Sequence, residues 1–152
     1  MTNKYRKAVF MVTYARGRKG VEYLIMKRKK HWIGWEFPKG GVEKEESLMQ
    51  AVKREIFEET GKQAVKIRRF NFFGRYTYKR RYLDRPGYIG QSYILFSTEI
   101  KKGEIKMGPE HSEYLWLDFK EAMKKLRFYN QKKCLKIVNN WLEKNEIQRK
   151  NS

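Results

Sequence analysis

Glu55, Glu58 and Glu59 stand at positions i, i+3 and i+4 of a helical pattern. On a helix they share one face, within an arc of about 100°. Three like charges so placed repel one another, so an ordinary solvated helix gains nothing from the arrangement. Two neighbouring features give it a use. Leu48, Val52 and Ile56 form an adjoining apolar stripe, which sets the acidic face at the edge of a buried contact. Arg54 precedes Glu58 by four residues, within reach to orient a carboxylate. Oxygen ligands held together on a rigid element suit a hard divalent cation such as Mg²⁺ or Mn²⁺. The competing reading is a solvated face of a Lys/Glu-rich helix, and the helix alone leaves both open.

The element that must position these groups is marked at both ends. Ser47 followed by Gln50 is a capping box, which predicts a helix beginning at Leu48 and leaves Glu46 in the preceding loop. Gly61 supplies the stop, as the residue that enters the left-handed conformation without penalty. Upstream, Pro38, Gly40 and Gly41 let the backbone approach another group closely, with Lys39 beside them to meet a phosphate.

Gly40, five residues, Glu46, seven residues and then REIFEETG (Arg54 to Gly61) resembles the Nudix box at nearly every position. The departure is Lys62, where the family usually carries an aliphatic packing residue. FPKGGVE resembles the branch that holds dinucleoside tetraphosphate hydrolases and RNA 5′-pyrophosphohydrolases, and the segment GPEHSEYLWL around Glu110 resembles the same region in dinucleoside tetraphosphate hydrolases. The resemblance implies an α/β fold, the Nudix α/β/α sandwich with a mixed β-sheet. It also implies hydrolysis of a pyrophosphate bond in a nucleoside polyphosphate with Mg²⁺ or Mn²⁺. Glu55, Glu58 and Glu59 would then hold the metal, with Gly40 and Glu46 contributing from the loop and Arg54 fixing a carboxylate. The general base is Glu58 or Glu110. Lys39 and Arg28 are the expected phosphate contacts.

Diadenosine tetraphosphate is the first substrate expectation. Triphosphorylated RNA 5′ ends come second, dNTP-pool cleansing third. A module that binds nucleotides without cleaving them belongs to a different class. It has no need to hold four glutamates together against their repulsion.

Composition sets the frame. The 152 residues predict one domain over 1–152, long enough for a sizeable core. Thirty-six basic against 17 acidic residues give a formal charge of +19, spread along the chain. That excess favours capture of polyanions such as nucleotides or RNA, or serves only to solvate the surface. Cys134 is the lone cysteine, so neither a disulfide framework nor a cysteine metal site is expected. An apolar signal core and membrane-length runs are lacking, so no membrane association and a cytoplasmic location are expected, with oligomeric state open.

In chain order, KAVFMVTY (7–14) and VEYLIMK (21–27) read as a β-hairpin. Neither alternates cleanly, which predicts burial on both faces. HWIGWEFPKGG reads as a loop, its tryptophans capping the core. Residues 65–79 read as one bent strand or two, and the Arg85-Pro86-Gly87 turn leads to a strand over 91–99. Tyr76, Tyr78, Tyr82 and Tyr88 interleave with Arg75, Lys79, Arg80, Arg81 and Arg85, a pattern that offers base stacking and phosphate contact. Tyr78, Arg80 and Tyr82 are the substrate candidates there, against a plain exposed basic hairpin. Residues 101–113 read as loop, with His111 on the surface and YLWL (114–117) as a short strand. Asp118 with Glu121 makes a second capping box for a helix to about Leu126. A terminal amphipathic helix from Asn130 carries Cys134, Ile137, Val138 and Trp141 inward, with its last residues frayed.

Overall fold

The computed structural model describes residues 4–151, with side chains described through residue 146. Strands β1 (Lys4–Gly17) and β2 (Gly20–Arg28) form the expected hairpin. They pair directly only at the turn end, Tyr14–Gly17 against Gly20–Tyr23. Beyond it they splay, and buried backbone groups must find other partners. Two short strands supply them: β3 (Gly34–Glu36) pairs with β2, and β4 (Lys39–Gly41) pairs with β1. The HWIGWEFPKGG segment is therefore not simply a loop, which corrects the sequence expectation. Between the two strands Phe37 is fully buried, and Pro38 O accepts from Met11 N at 3.0 Å.

On its other side β1 runs parallel to β6 (Tyr88–Glu99), and β5 (Lys66–Thr77) pairs antiparallel outside β6 at the sheet edge. β5 is one strand with a register shift between Arg69 and Phe73. β7 (His111–Leu117) completes a mixed seven-stranded sheet by pairing antiparallel with β2. It begins three residues before the expected Tyr114, so the predicted loop is shorter.

Helix α1 (Leu48–Thr60) has both halves of the capping box at Ser47 and Gln50, and Gly61 closes it at φ 75°. α2 (Phe119–Lys125) starts at Asp118, whose carboxylate accepts from Glu121 N at 2.8 Å. α3 (Tyr129–Asn151) follows. The side chains of 147–151 and all of Ser152, on which the expectation of fraying falls, lie outside the described residues.

Burial on both faces of the hairpin is what makes three layers. Ala8, Phe10, Val12 and Tyr14 of β1 face α2 and α3, packing with Cys134, Leu135, Val138 and Leu142. Val9 and Met11 face α1, packing with Val52, Ile56 and Phe96. Trp35 leans on the first cluster, whereas Trp32 meets Phe128 edge-on. Among the described residues no helix is long and apolar enough to cross a membrane.

Candidate active site

The site begins with α1, which packs Val52 and Ile56 on the sheet and so turns Glu55 and Glu59 into the space beside β4. Gly40 makes this possible. A Cβ there would sit 1.9 Å from the Glu55 carboxyl carbon, so only a glycine lets that carboxylate rest against the strand. Glu55 and Glu59 are buried, while the Glu58 side chain is 55% exposed.

Arg54 does more than orient Glu58. Its guanidinium donates twice to Glu46 (2.7 and 2.8 Å), once to Glu55 (2.7 Å) and once to the Gly41 carbonyl (2.8 Å), and it reaches Glu58 only at 3.3–3.4 Å. It ties the loop to the helix. The hydrogen bonds from Arg54, with a further one from the Glu43 backbone, hold Glu46 down to about 2. Glu46 thus spends both oxygens on Arg54 and does not line the cleft. Glu55 behaves oppositely. Burial pushes its carboxyl up to about 7 despite Arg54, and the charges of Glu58 and Glu59 add to the rise.

Behind these carboxylates lies a group that sequence reasoning missed. Glu36, on β3, is wholly buried. It accepts from Arg28 at 3.0 Å and lies 2.8 Å from His111 Nε2 and 3.4 Å from Lys39 Nζ. Burial opposes its charge, yet Lys39, the His111 hydrogen bond and Arg28 together bring it down to about 2. His111, expected on the surface, is 4% exposed, because β7 pairs with β2 and sets it opposite Arg28 in the ladder. Burial alone would lower its pKa, but Glu36 and Glu59 outweigh that and raise it to about 9. Its Nδ1 stands 3.0 Å from Glu59 Oε2 as an ion pair, and among the described residues neither atom has a hydrogen-bond partner. Burial raises the pKa of Glu59 even so.

Arg28 is buried as well, paired with Glu36 and, at 3.4 Å, with Glu110. It also lies 3.0 Å from His31 Nδ1, and His31 in turn meets Asp84 at 3.1 Å. Lys39 is hydrogen-bonded to the Tyr76 hydroxyl at 2.8 Å. Above this floor opens a cleft of about 220 Å³ lined by groups of both charges. Arg6, Arg28, Lys39 and Arg85 bring cations, and Glu55, Glu58, Glu59 and Glu110 bring carboxylates. Gly40 and Gln91 also line it.

Tyr78, Arg80 and Tyr82 are not among the cleft-lining residues. They form an aromatic and cationic group with one another and Arg85. The Tyr78 and Tyr82 rings are 5.0 Å apart, Tyr82 is 4.2 Å from His31, and Arg80 and Arg85 lie over the rings. The His31–Asp84 contact ties this segment to the cleft floor through Arg28.

The donor set fits a divalent cation. It is all oxygen, its buried carboxylates Glu55 and Glu59 have raised pKa values, and among the described residues Glu59 Oε2 has no hydrogen-bond donor. A cation would relieve each of these costs. Among the described residues the carboxylates are not already drawn to a single ligating point, since Glu55 leans on Arg54.

The NUDIX domain family matches residues 4–136. An RNA pyrophosphohydrolase of a Nitratiruptor species is 27% identical over 126 residues, spanning 79% of this chain and 81% of its own. An asymmetrical bis(5′-nucleosyl)-tetraphosphatase of Mus musculus is 29% identical over 115 residues, 76% of each chain. Among solved structures, a Nudix hydrolase of Listeria monocytogenes shares the fold with a TM-score of 0.75 at 20% identity, over 94% of this chain and 97% of that one. The C. elegans Ap4A hydrolase does so with a TM-score of 0.73 at 20% identity, over 91% and 98%. The splayed hairpin, the loop–helix unit seated on Gly40 and the match along most of the sequence agree: this chain belongs to the Nudix family and is a Nudix pyrophosphohydrolase.

Proposed function

We propose that this chain hydrolyses a dinucleoside polyphosphate of the diadenosine tetraphosphate type, using Mg²⁺ or Mn²⁺. The observation that carries this reading is a single cleft lined by both cations and carboxylates. A polyphosphate bridge needs both: cations to hold its oxygens, and carboxylates to bind metal and to take a proton from water. The mouse and C. elegans relatives, named for dinucleoside tetraphosphate hydrolysis, favour this substrate.

Lys39, Arg6 and Arg85 hold phosphate oxygens, while Arg28 acts mainly through its pairing with Glu36 and Glu110. Glu55, Glu58 and Glu59, with the Gly40 backbone, would hold the ion, and Arg54 keeps Glu55 in place. When bound, the ion neutralises phosphate charge and acidifies water. Glu58 and Glu110 are the two carboxylates free enough to accept the proton, with side chains 55% and 31% exposed.

A triphosphorylated RNA end is the second reading, favoured by the +19 charge and by the relative named RNA pyrophosphohydrolase. Product analysis decides between them, with diadenosine tetraphosphate, triphosphorylated RNA and dNTPs compared side by side in Mg²⁺. The expected result is the highest kcat/KM on diadenosine tetraphosphate. A higher kcat/KM on RNA would move the assignment to RNA ends.

A further inference from the structure

One region of the sheet lies beyond the reach of α1 and has a composition that burial does not explain. Along a strand alternate residues face opposite sides. Val9 packs against α1, so Lys7 and Tyr5 project on that same side of β1. The register carries this face across three strands. Tyr5 aligns with Gly90 and Thr77, Lys7 with Ser92 and Arg75, and Val9 with Ile94 and Phe73. The central strand therefore shows only glycine and serine in the first two rows, a low floor between taller flanks. Gly90 admits nothing larger, since a Cβ there would stand 2.0 Å from the Tyr76 carbonyl and 2.8 Å from the Tyr5 ring.

The flanks hold rings and cations. Phe73 is 76% exposed. Arg75 lies over the Tyr5 ring at 4.7 Å, and Tyr5 is fixed by its hydrogen bond to Thr77 at 2.9 Å. Among the described residues neither Lys7 nor Arg75 has a carboxylate at ion-pair distance, although most acids of the chain are paired elsewhere. Cations on an edge strand such as β5 also guard against edge-to-edge pairing. That guard accounts for Arg75 but not for Phe73, because an exposed apolar ring at an edge works against it.

We propose that this face, built from Tyr5, Lys7, Phe73 and Arg75 over the Gly90–Ser92 floor, binds single-stranded RNA. Bases stack on Phe73 and Tyr5, and Lys7 and Arg75 meet phosphates. The charge is complementary, and a net +19 adds long-range attraction. The surface shares β1 and β6 with the cleft, where Arg6 and Gln91 point the other way. It goes beyond the dinucleotide reading and is tested by binding alone, so its failure leaves that reading untouched.

The measurement is fluorescence anisotropy of a labelled oligouridylate of about 12 nucleotides, within the range such surfaces engage, over a salt series. Inorganic polyphosphate serves as a base-free competitor. Phe73→Ala should weaken RNA binding about tenfold with the salt slope unchanged. Arg75→Ala should flatten the slope by roughly 0.7, the share of one phosphate contact. Lys120→Ala, on exposed α2, should change neither, and all three variants should hydrolyse nucleoside polyphosphate and melt as wild type does. The proposal is overturned if Phe73→Ala binds RNA like wild type, if Lys120→Ala flattens the slope as much as Arg75→Ala, or if polyphosphate displaces RNA as well as unlabelled RNA does.

Discussion

Glu36 and Glu58 show how differently two carboxylates of one site are held. Glu58 sits at the helix surface with one loose contact to Arg54, so its loss should leave the fold alone. We expect Glu58→Gln to abolish turnover while shifting stability by no more than about 0.5 kcal/mol, the usual scale for exposed positions. Steady-state rates and a thermal melt check this, and activity lost together with a collapsed melt would count against a catalytic role. Glu36 faces Arg28, Lys39 and His111 with no solvent to share the load. Removing its charge leaves buried cations uncompensated, which costs about 3–5 kcal/mol. Glu36→Gln should therefore melt far below wild type, and a melt within a degree or two of wild type would show that the cations do not depend on it.

At the scale of elements, what could be read from sequence was what local periodicity encodes. The shared face of Glu55, Glu58 and Glu59 follows from helical spacing, and the helix limits follow from Ser47, Gln50 and Gly61, all within fifteen residues. Glu36 and His111 could not be found that way. Each enters the site through strand register against β2, Glu36 opposite Met26 and His111 opposite Arg28, and register is a long-range property. The one local hint was an acid standing between Trp35 and Phe37 in an apolar run. The splay of β1 from β2 was equally hidden, because both strands are apolar on two faces whichever neighbour they take. Gly40 links the two levels, as a strand residue whose lack of a side chain seats a helix carboxylate. Gly40→Ala should expel Glu55 from its seat at a cost of roughly 1–3 kcal/mol, as overpacking does. The rise in melting temperature caused by Mn²⁺ should shrink with it. An undiminished Mn²⁺ effect in that variant would detach Glu55 from metal binding.

For the whole molecule, the titrating groups give stability a pH dependence that a metal should reverse. Glu55 carries a folded pKa of about 7 against an ordinary 4.5, so the folded state binds its proton more tightly. Its stabilising share is complete below pH 4.5 and is lost as pH rises through 7, worth on the order of 3 kcal/mol at most. Glu59 shifts in the same direction. His111, raised to about 9, loses its share only at higher pH, between about 6.5 and 9. Glu36, held to about 2, keeps its share above pH 4.5 and loses it only as pH falls through 2. Between pH 5 and 7 the metal-free protein should therefore lose stability through Glu55. A divalent cation competes with the proton for these carboxylates, and by binding the native state it stabilises that state. Its effect should be small at pH 5 and grow towards pH 8. Thermal melts at pH 5, 6.5 and 8, with and without Mg²⁺, test this on wild type and on Glu55→Gln. The variant, with no proton to lose, should show a flatter pH profile without metal and a weakened response to Mg²⁺. A Mg²⁺ shift of equal size at all three pH values, or one that survives intact in Glu55→Gln, would mean that the ion acts elsewhere on the molecule.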